Sequence, residues 1–322
     1  MSSNSFWQGR KVFVTGCSGL IGGPMCRMFL NEGAELVGYD LERIGTLPAH
    51  GIHGQFPVIH GDILYLSDLV KAMRGHEVVI HLAAVSGVEH ARQLGAKAIE
   101  INTVGTLKAL EAARQTGVQA TIVASSNHVY GRQLSPQPTG EDAPMNQLDT
   151  YSVSKICGDV LARAWAHNYG LNVAIIRNTN CYGPGDPHRD HIIPGTILSL
   201  LEGKAPVIRS NGVRRKAYLY VDDVAGAYLA VAKFIAQAQG SVPKAFNVST
   251  ESISVLQLVE AIREVMGSEL QPEILNQPDD QSDEFLDSSL IRHFTGWEPQ
   301  HSLEEGLTKT IAWFRDKVHT AA

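Results

Sequence analysis

Tyr151 and Lys155 stand four residues apart in Tyr-Ser-Val-Ser-Lys. On a helix that spacing puts both side chains on one face, with an ammonium beside a phenol. A nearby cation favours phenolate, which predicts a Tyr151 pKa below its ordinary value of about 10 and makes the residue a usable general base near neutral pH. The pairing suggests alcohol-to-ketone hydride chemistry. A seat for the hydride acceptor lies near the start of the chain, in Thr15-Gly16-Cys17-Ser18-Gly19-Leu20-Ile21-Gly22.

Gly16, Gly19 and Gly22 follow the strand-like Lys11-Val12-Phe13-Val14 and open a helical segment. Glycines there allow a tight turn and close approach of backbone to a pyrophosphate at the helix N-terminus, and Ser18, Leu20 and Ile21 belong to the same seat. The next strand-like run ends in Asp40, where a carboxylate can accept from both adenosine ribose hydroxyls. That favours NAD over NADP, with Arg43 as the neighbour that argues the other way. Asp62, beside Ile63, is placed to hold the adenine amine, and Leu82-Ala83-Ala84 lets a cofactor lie flat along the strand ends. Asn102 is read as bonding backbone or a catalytic water, or as capping a helix.

The bulk numbers bound the rest. At 322 residues, 44% hydrophobic and 19% charged, the chain can form one large or two modest domains. A net charge of −6 argues against general attraction to nucleic acid or anionic membranes, so any anion site is local. Cys17, Cys26, Cys157 and Cys181 are scattered without metal-ligand or disulfide spacing, which fits buried thiols in a reducing compartment. The N-terminal stretch has no apolar h-region and 225–236 is too short to span a bilayer, so a cytoplasmic protein is expected. His188-Arg189-Asp190-His191 matches no standard metal spacing; no metal is expected, and the segment reads as a substrate-closing loop.

The elements that must position these residues follow from the hydrophobic pattern. Short β-rich runs at 12–14, 35–39, 58–60, 78–82, 121–124 and 172–176 alternate with helical-period segments at 20–32, 67–73, 99–116 and 151–169. This βα repetition predicts an α/β fold with a parallel, doubly wound sheet. After about 180 the rhythm loosens: 192–202, 222–238, 254–267 and 303–317 read as helices, 206–209 and 218–221 as short strands. The expected division is 1–180 for the cofactor and the Tyr/Lys pair, and 181–322 mainly for substrate, with segments interleaved.

With these residues in place, the chain resembles the extended short-chain dehydrogenase/reductase family of nucleotide-sugar epimerases and dehydratases over nearly all its length. The matching pieces are the three-glycine turn, His81-Leu82-Ala83-Ala84, Asn102 with Gly105-Thr106, Ser125-Ser126 with Val129-Tyr130-Gly131, Tyr151/Lys155, Arg177-x-x-Asn180-Cys181-Tyr182-Gly183-Pro184, Tyr218-Leu219-Tyr220-Val221-Asp222-Asp223, and Gly296-Trp297-Glu298-Pro299. Within the family, 6–16, Gly185-Asp186 and Ile192-Ile193-Pro194-Gly195-Thr196-Ile197 look most like CDP-glucose 4,6-dehydratases.

The resemblance implies a Rossmann-type sheet, a tightly held NAD and oxidation of the sugar at C4. Tyr151 takes the hydroxyl proton, Ser126 shares that hydrogen bond, Lys155 holds the nicotinamide ribose, and Ser125 and Asn178 join the cofactor set. A nucleotide-diphosphate sugar is implied as partner, met by Ser86, Asn180, His191, Ile192, Ile193, Val207, Arg209, Arg214, Arg215 and Lys216. A homodimer through the helices at 99–116 and 151–169 is implied as well.

Departures from the pattern bear on the reaction. A 4,6-dehydratase usually carries Asp after the Ser/Thr and then Glu or Lys, where this chain has Asn127 and His128. An amide has no proton to give as an acid, whereas His128 could serve as acid or base. A 4-epimerase needs neither, so that reading ranks first, with the 4,6-dehydratase as alternative and a non-catalytic NAD- or RNA-binding descendant as a distant third. The usual Arg-Asp before Tyr-x-Tyr-Val is Lys216-Ala217, and Gln277 stands near the place of a late arginine, so Arg209, Arg214 or Arg215 is expected to meet the diphosphate.

Overall fold

A computed structural model describes residues 5–132, 137–238, 244–278 and 283–321, with side chains to 318. The first half alternates β1 (Lys11–Thr15), α1 (Gly22–Asn31), β2 (Glu35–Asp40), β3 (Val58–His60), α2 (Leu66–Met73), β4 (Val78–His81), α3 (Val88–Leu94), α4 (Ala96–Ile99), α5 (Gly105–Thr116), β5 (Ala120–Ala124), α6 (Thr150–Tyr169) and β6 (Val173–Asn178). There follow β7 (Asn180–Tyr182), α7 (Ile192–Leu201), β8 (Val207–Ile208), β9 (Arg215–Tyr220), α8 (Val221–Gln237), β10 (Ala245–Val248), β11 (Ser252–Ser254), α9 (Val255–Met266), β12 (Glu273–Ile274), α10 (Ser289–Thr295) and α11 (Leu303–Ala321).

Strands β1, β4, β5 and β6 are nearly continuous in apolar residues because both of their faces are covered. They lie within a seven-stranded sheet in the order β10-β6-β5-β4-β1-β2-β3, every pair parallel. One apolar cluster packs α1 and α8 on one face; a second packs α2, α5 and α6 on the other. The chain winds outward from β1 through β3, then returns to β4 on β1's other side. That reversal makes the carboxyl ends of β1 and β4 the switch point of the sheet, the place where open α/β sheets take their ligands.

The register explains why residues distant in sequence meet there. Thr15 is level with Tyr39 on one side and His81 on the other, so Gly16, Asp40 and Leu82 leave the sheet together. His81 locks this edge from within. Its Nε2 lies 3.0 Å from the Thr106 hydroxyl, which already donates to Asn102 O at 2.7 Å, so Nε2 must carry the proton and Nδ1 accepts from Thr15 Oγ1 at 2.8 Å. Burial pushes the His81 pKa down to about 3, with Lys155 adding to the effect, so the ring stays neutral.

The second lobe is a three-stranded sheet, β11-β9-β7, packed with α7, α9 and α11 around Tyr182, Ile197, Leu258, Ile262, Leu307 and Phe314. One strand after this lobe has begun, β10, returns to the first sheet and pairs with β6. No helix among the described residues is long and apolar enough to cross a membrane.

Candidate active site

The glycine turn is shaped by its own backbone. Gly16 has φ +73°, and a Cβ there would sit 2.6 Å from the Ala83 nitrogen. A Cβ on Gly22 would come within 2.2 Å of Gly16 O. Gly19 differs: it is exposed, and a Cβ would meet nothing closer than 3.4 Å. The open middle of the turn is thus the part left for a ligand to approach. Asp40 is tied to this turn, accepting from Ser18 N at 3.0 Å and Ser18 Oγ at 2.8 Å, and from Glu42 N at 3.2 Å. Asp62 accepts from Leu64 N at 2.9 Å, while the Ile63 side chain is buried in the second apolar cluster. Leu20 and Ile21 are half-buried against core clusters, as are Leu82 and Ala83, so these side chains shape the wall.

The residues expected to relay the proton lie just after β5 and on α6. After Ala124 the chain passes through Ser125 and Ser126 into a 3-10 turn, Asn127–Tyr130, which Ser126 caps by accepting from His128 N at 3.2 Å. Helix α6 is capped by Asp149, which accepts from Ser152 N at 2.9 Å and Ser152 Oγ at 2.7 Å. Its first turns carry Tyr151 and Lys155 on one face, as the spacing predicted. The phenol is hydrogen-bonded to Ser126, and the Lys155 ammonium donates to Ala124 O at 3.1 Å. Tyr130, Arg177 and Asp159 clamp the turn to the helix: the buried guanidinium meets both Asp159 oxygens at 2.8 and 3.0 Å and donates to the Tyr130 hydroxyl at 2.7 Å. Both charges are fully buried, so removing either partner would strand the other.

One expectation changes and one open alternative is decided. Burial pushes the Tyr151 phenol up to about 12 despite the Ser126 hydrogen bond, instead of Lys155 drawing it down. The ammonium is 5.9 Å from the ring centroid and directed at a carbonyl, and burial brings Lys155 itself down to about 8. Asn102 does not cap a helix. It lies inside a π-turn, Glu100–Val104, and staples the loop after β4: Val85 N donates to its Oδ1 at 2.7 Å, and its Nδ2 donates to Val85 O at 3.0 Å and Ser154 Oγ at 2.9 Å. The backbone-bonding alternative is therefore the one observed. Asn178 is likewise engaged within the protein, accepting from the Tyr228 hydroxyl at 3.2 Å.

Asn127 is buried, and its carboxamide oxygen accepts from Ser126 Oγ at 3.3 Å. The His128 ring stands edge-on to Tyr151, centroids 6.0 Å apart. Burial lowers its pKa, opposed by the field of Glu284 and assisted by Lys216.

Of the residues expected at the substrate end, Asn180 and Lys216 converge on Glu284. Asn180 Nδ2 donates to one carboxylate oxygen at 2.8 Å, and Lys216 Nζ is 3.8 Å from the other. His191, just before α7, turns to Asp186 at 2.9 Å, which raises its pKa against the effect of burial. Ile192 begins α7 half-buried, and Ile193 is packed in the second lobe's core. Arg215 donates to Ser252 O and Arg214 is half-buried, whereas Ser86, Val207 and Arg209 are exposed. Glu284 was missed from sequence. Its position depends on pairing of its neighbours with a distant segment: Thr139 N donates to Phe285 O at 2.7 Å and Asp287 N to Thr139 O at 2.9 Å. No group of three metal-ligating side chains occurs among the described residues.

A family profile described as NAD dependent epimerase/dehydratase matches residues 12–249. The chain belongs to this family. It is 32% identical to a UDP-glucose 4-epimerase of Mycolicibacterium smegmatis over 95% of this chain and 99% of that one. It is 28% identical to a dTDP-glucose 4,6-dehydratase of the same organism, covering 95% and 93%. Among solved structures, a UDP-glucose 4-epimerase of Thermotoga maritima with UDP-glucose superposes with TM-score 0.86 at 25% identity, covering 95% and 99%. A dTDP-glucose 4,6-dehydratase of Streptomyces venezuelae with NAD bound gives 0.85 at 26%, covering 96% and 98%. The epimerase/dehydratase family uses NAD, and the residues present fit it: Gly16 and Gly22 leave no room for side chains, Gly19 stands open, and Asp40 is anchored beside them.

Proposed function

We propose that the chain epimerises a nucleotide-diphosphate hexose at C4. NAD, held by the glycine turn, Asp40, Asp62 and the ends of β4 and β5, would supply a reversible hydride acceptor. Tyr151 would accept the C4 hydroxyl proton and Ser126 would share that hydrogen bond. Lys155, held by the Ala124 carbonyl, would orient the cofactor's nicotinamide ribose, and the Ser126 hydrogen bond is what favours proton acceptance by the phenol against its burial. The resulting 4-keto sugar would turn over, receive the hydride back on the other face of C4, and take the proton on its oxygen back from Tyr151. Asp40 supports NAD over NADP, since a 2′-phosphate would face a carboxylate already fixed by Ser18.

The observation that carries the epimerase choice is Asn127. It is buried beside Ser126 and hydrogen-bonded to it, where elimination of water would need an acid. The 4,6-dehydratase remains the second reading because His128 stands edge-on to the catalytic phenol. Turnover in D₂O separates them: an epimerase returns a product of unchanged mass without deuterium at C5. Loss of water with deuterium at C5 would reject epimerisation, and His128→Ala would then test whether His128, or a water it holds, carries the elimination. We also infer a homodimer through α5 and α6, supported by Val160 and Tyr169, exposed on α6, and Val104, exposed just before α5. A cytoplasmic setting is supported by four cysteines that all stand free.

A further inference from the structure

Glu284 places a fixed negative charge at the substrate end of the cleft. Its side chain is only 12% exposed, and that of Lys216 only 16%, so water screens the charge weakly. The carboxylate is built in. Asn180 Nδ2 donates to it at 2.8 Å, Lys216 lies 3.8 Å away, and Glu284 N donates to Arg215 O at 2.9 Å. Ser252 Oγ donates to Glu284 O, so the backbone is held against β9 and β11 from two sides.

The field of this carboxylate reaches the reacting region. It opposes the burial that lowers the His128 pKa, and His128 stands 6.0 Å from the Tyr151 ring. It also contributes, after burial, to raising the pKa of Tyr218 on β9. A sugar placed against Tyr151, as the proposed function has it, would lie beside His128 and share that field. Lys216 offsets part of it, but at 3.8 Å the two ends form a dipole whose negative pole Asn180 holds in place.

We propose that Glu284 is a specificity-determining residue that selects a neutral hexose against its uronate. This rests on the nucleotide-sugar reading of the site. A C6 hydroxymethyl can donate a hydrogen bond toward a carboxylate; a C6 carboxylate would bring a second anion into the same poorly screened space. Discrimination then comes from repulsion of the wrong substrate, not from extra affinity for the right one.

UDP-glucose and UDP-glucuronate, which differ only at C6, are the probes. Their dissociation constants are measured by calorimetry on the NAD-loaded protein, together with transient NADH absorbance. The wild type is expected to prefer UDP-glucose by about tenfold or more, and Glu284→Gln, which keeps an acceptor but loses the charge, to bring the two within about threefold. Glu284→Asp should retain most of the preference, and Glu273→Gln on the exposed β12 should leave it unchanged. Equal binding by the wild type, or an unaltered ratio in Glu284→Gln, overturns the inference. So does equal loss in Glu284→Gln and Glu284→Asp, which would mark a structural role. A retained binding preference without any NADH transient would sink the C4-oxidation reading alone.

Discussion

At the cofactor end of the cleft, Gly16, Asp40 and Leu82 leave three neighbouring strands at matching register, so their meeting is a property of the sheet. At the end proposed to take the sugar, Asn180 and Lys216 come from a small second sheet, and Glu284 from a segment joined to it through Arg215 and to Thr139. The first arrangement tolerates little change because backbone packs on backbone. The second is made by side chains reaching across segments, and such a surface can be retuned for another sugar without disturbing the fold.

The sharpest test lies where the two ends meet. Tyr151→Phe removes one hydroxyl, so turnover should fall by about 10²-fold or more while the melting temperature and bound NAD are kept. Near-normal turnover would show that proton transfer belongs elsewhere. At the cofactor end, Gly22→Ala drives a Cβ to 2.2 Å from Gly16 O and should cost about 1–3 kcal/mol by denaturant titration. Gly19→Ala meets only ordinary contact at 3.4 Å, so its stability should hold while its NAD affinity drops. Equal destabilisation by both would break the claim that backbone packing fixes two of these glycines and the ligand the third.

A smaller effect is expected from pH. Burial lowers the Lys155 pKa to about 8, so its cation is present below that pH and lost as pH rises through it. Turnover should decline several-fold on the alkaline side with a limb near that value. Lys155→Arg, whose guanidinium does not deprotonate in this range, should abolish the limb even if the overall rate is lower. A limb that persists in this variant belongs to another group.

Much of the first sheet could be read in the chain because each strand is a short apolar run bounded by turns, and each helix has a period to match. The strand at 245–248 could not. Ala-Phe-Asn-Val is short and contains Asn247, buried only because its side chain accepts from the Tyr130 hydroxyl at 2.6 Å and donates to Thr139 O at 2.9 Å. At the site, the glycine turn, Asp40 and the Tyr151/Lys155 pair were legible from local spacing. The raised Tyr151 pKa was not, because spacing shows that two side chains share a face but not where an ammonium points or how dry the pocket is. Glu284 had no local signal at all, being placed by residues between 32 (Ser252) and 104 (Asn180) positions away.

The late return of β10 has a consequence for how the protein is made. Synthesis runs from the N-terminus, so β6 is formed while the chain from 180 to 244 is still being added, and one side of Val173–Asn178 has no neighbour during that interval. An apolar strand with a bare edge is a template for a second nascent chain. The protein should therefore be most prone to aggregate on the ribosome just before residue 248 emerges, and truncation between 180 and 244 should yield insoluble material even though six of the sheet's seven strands are present.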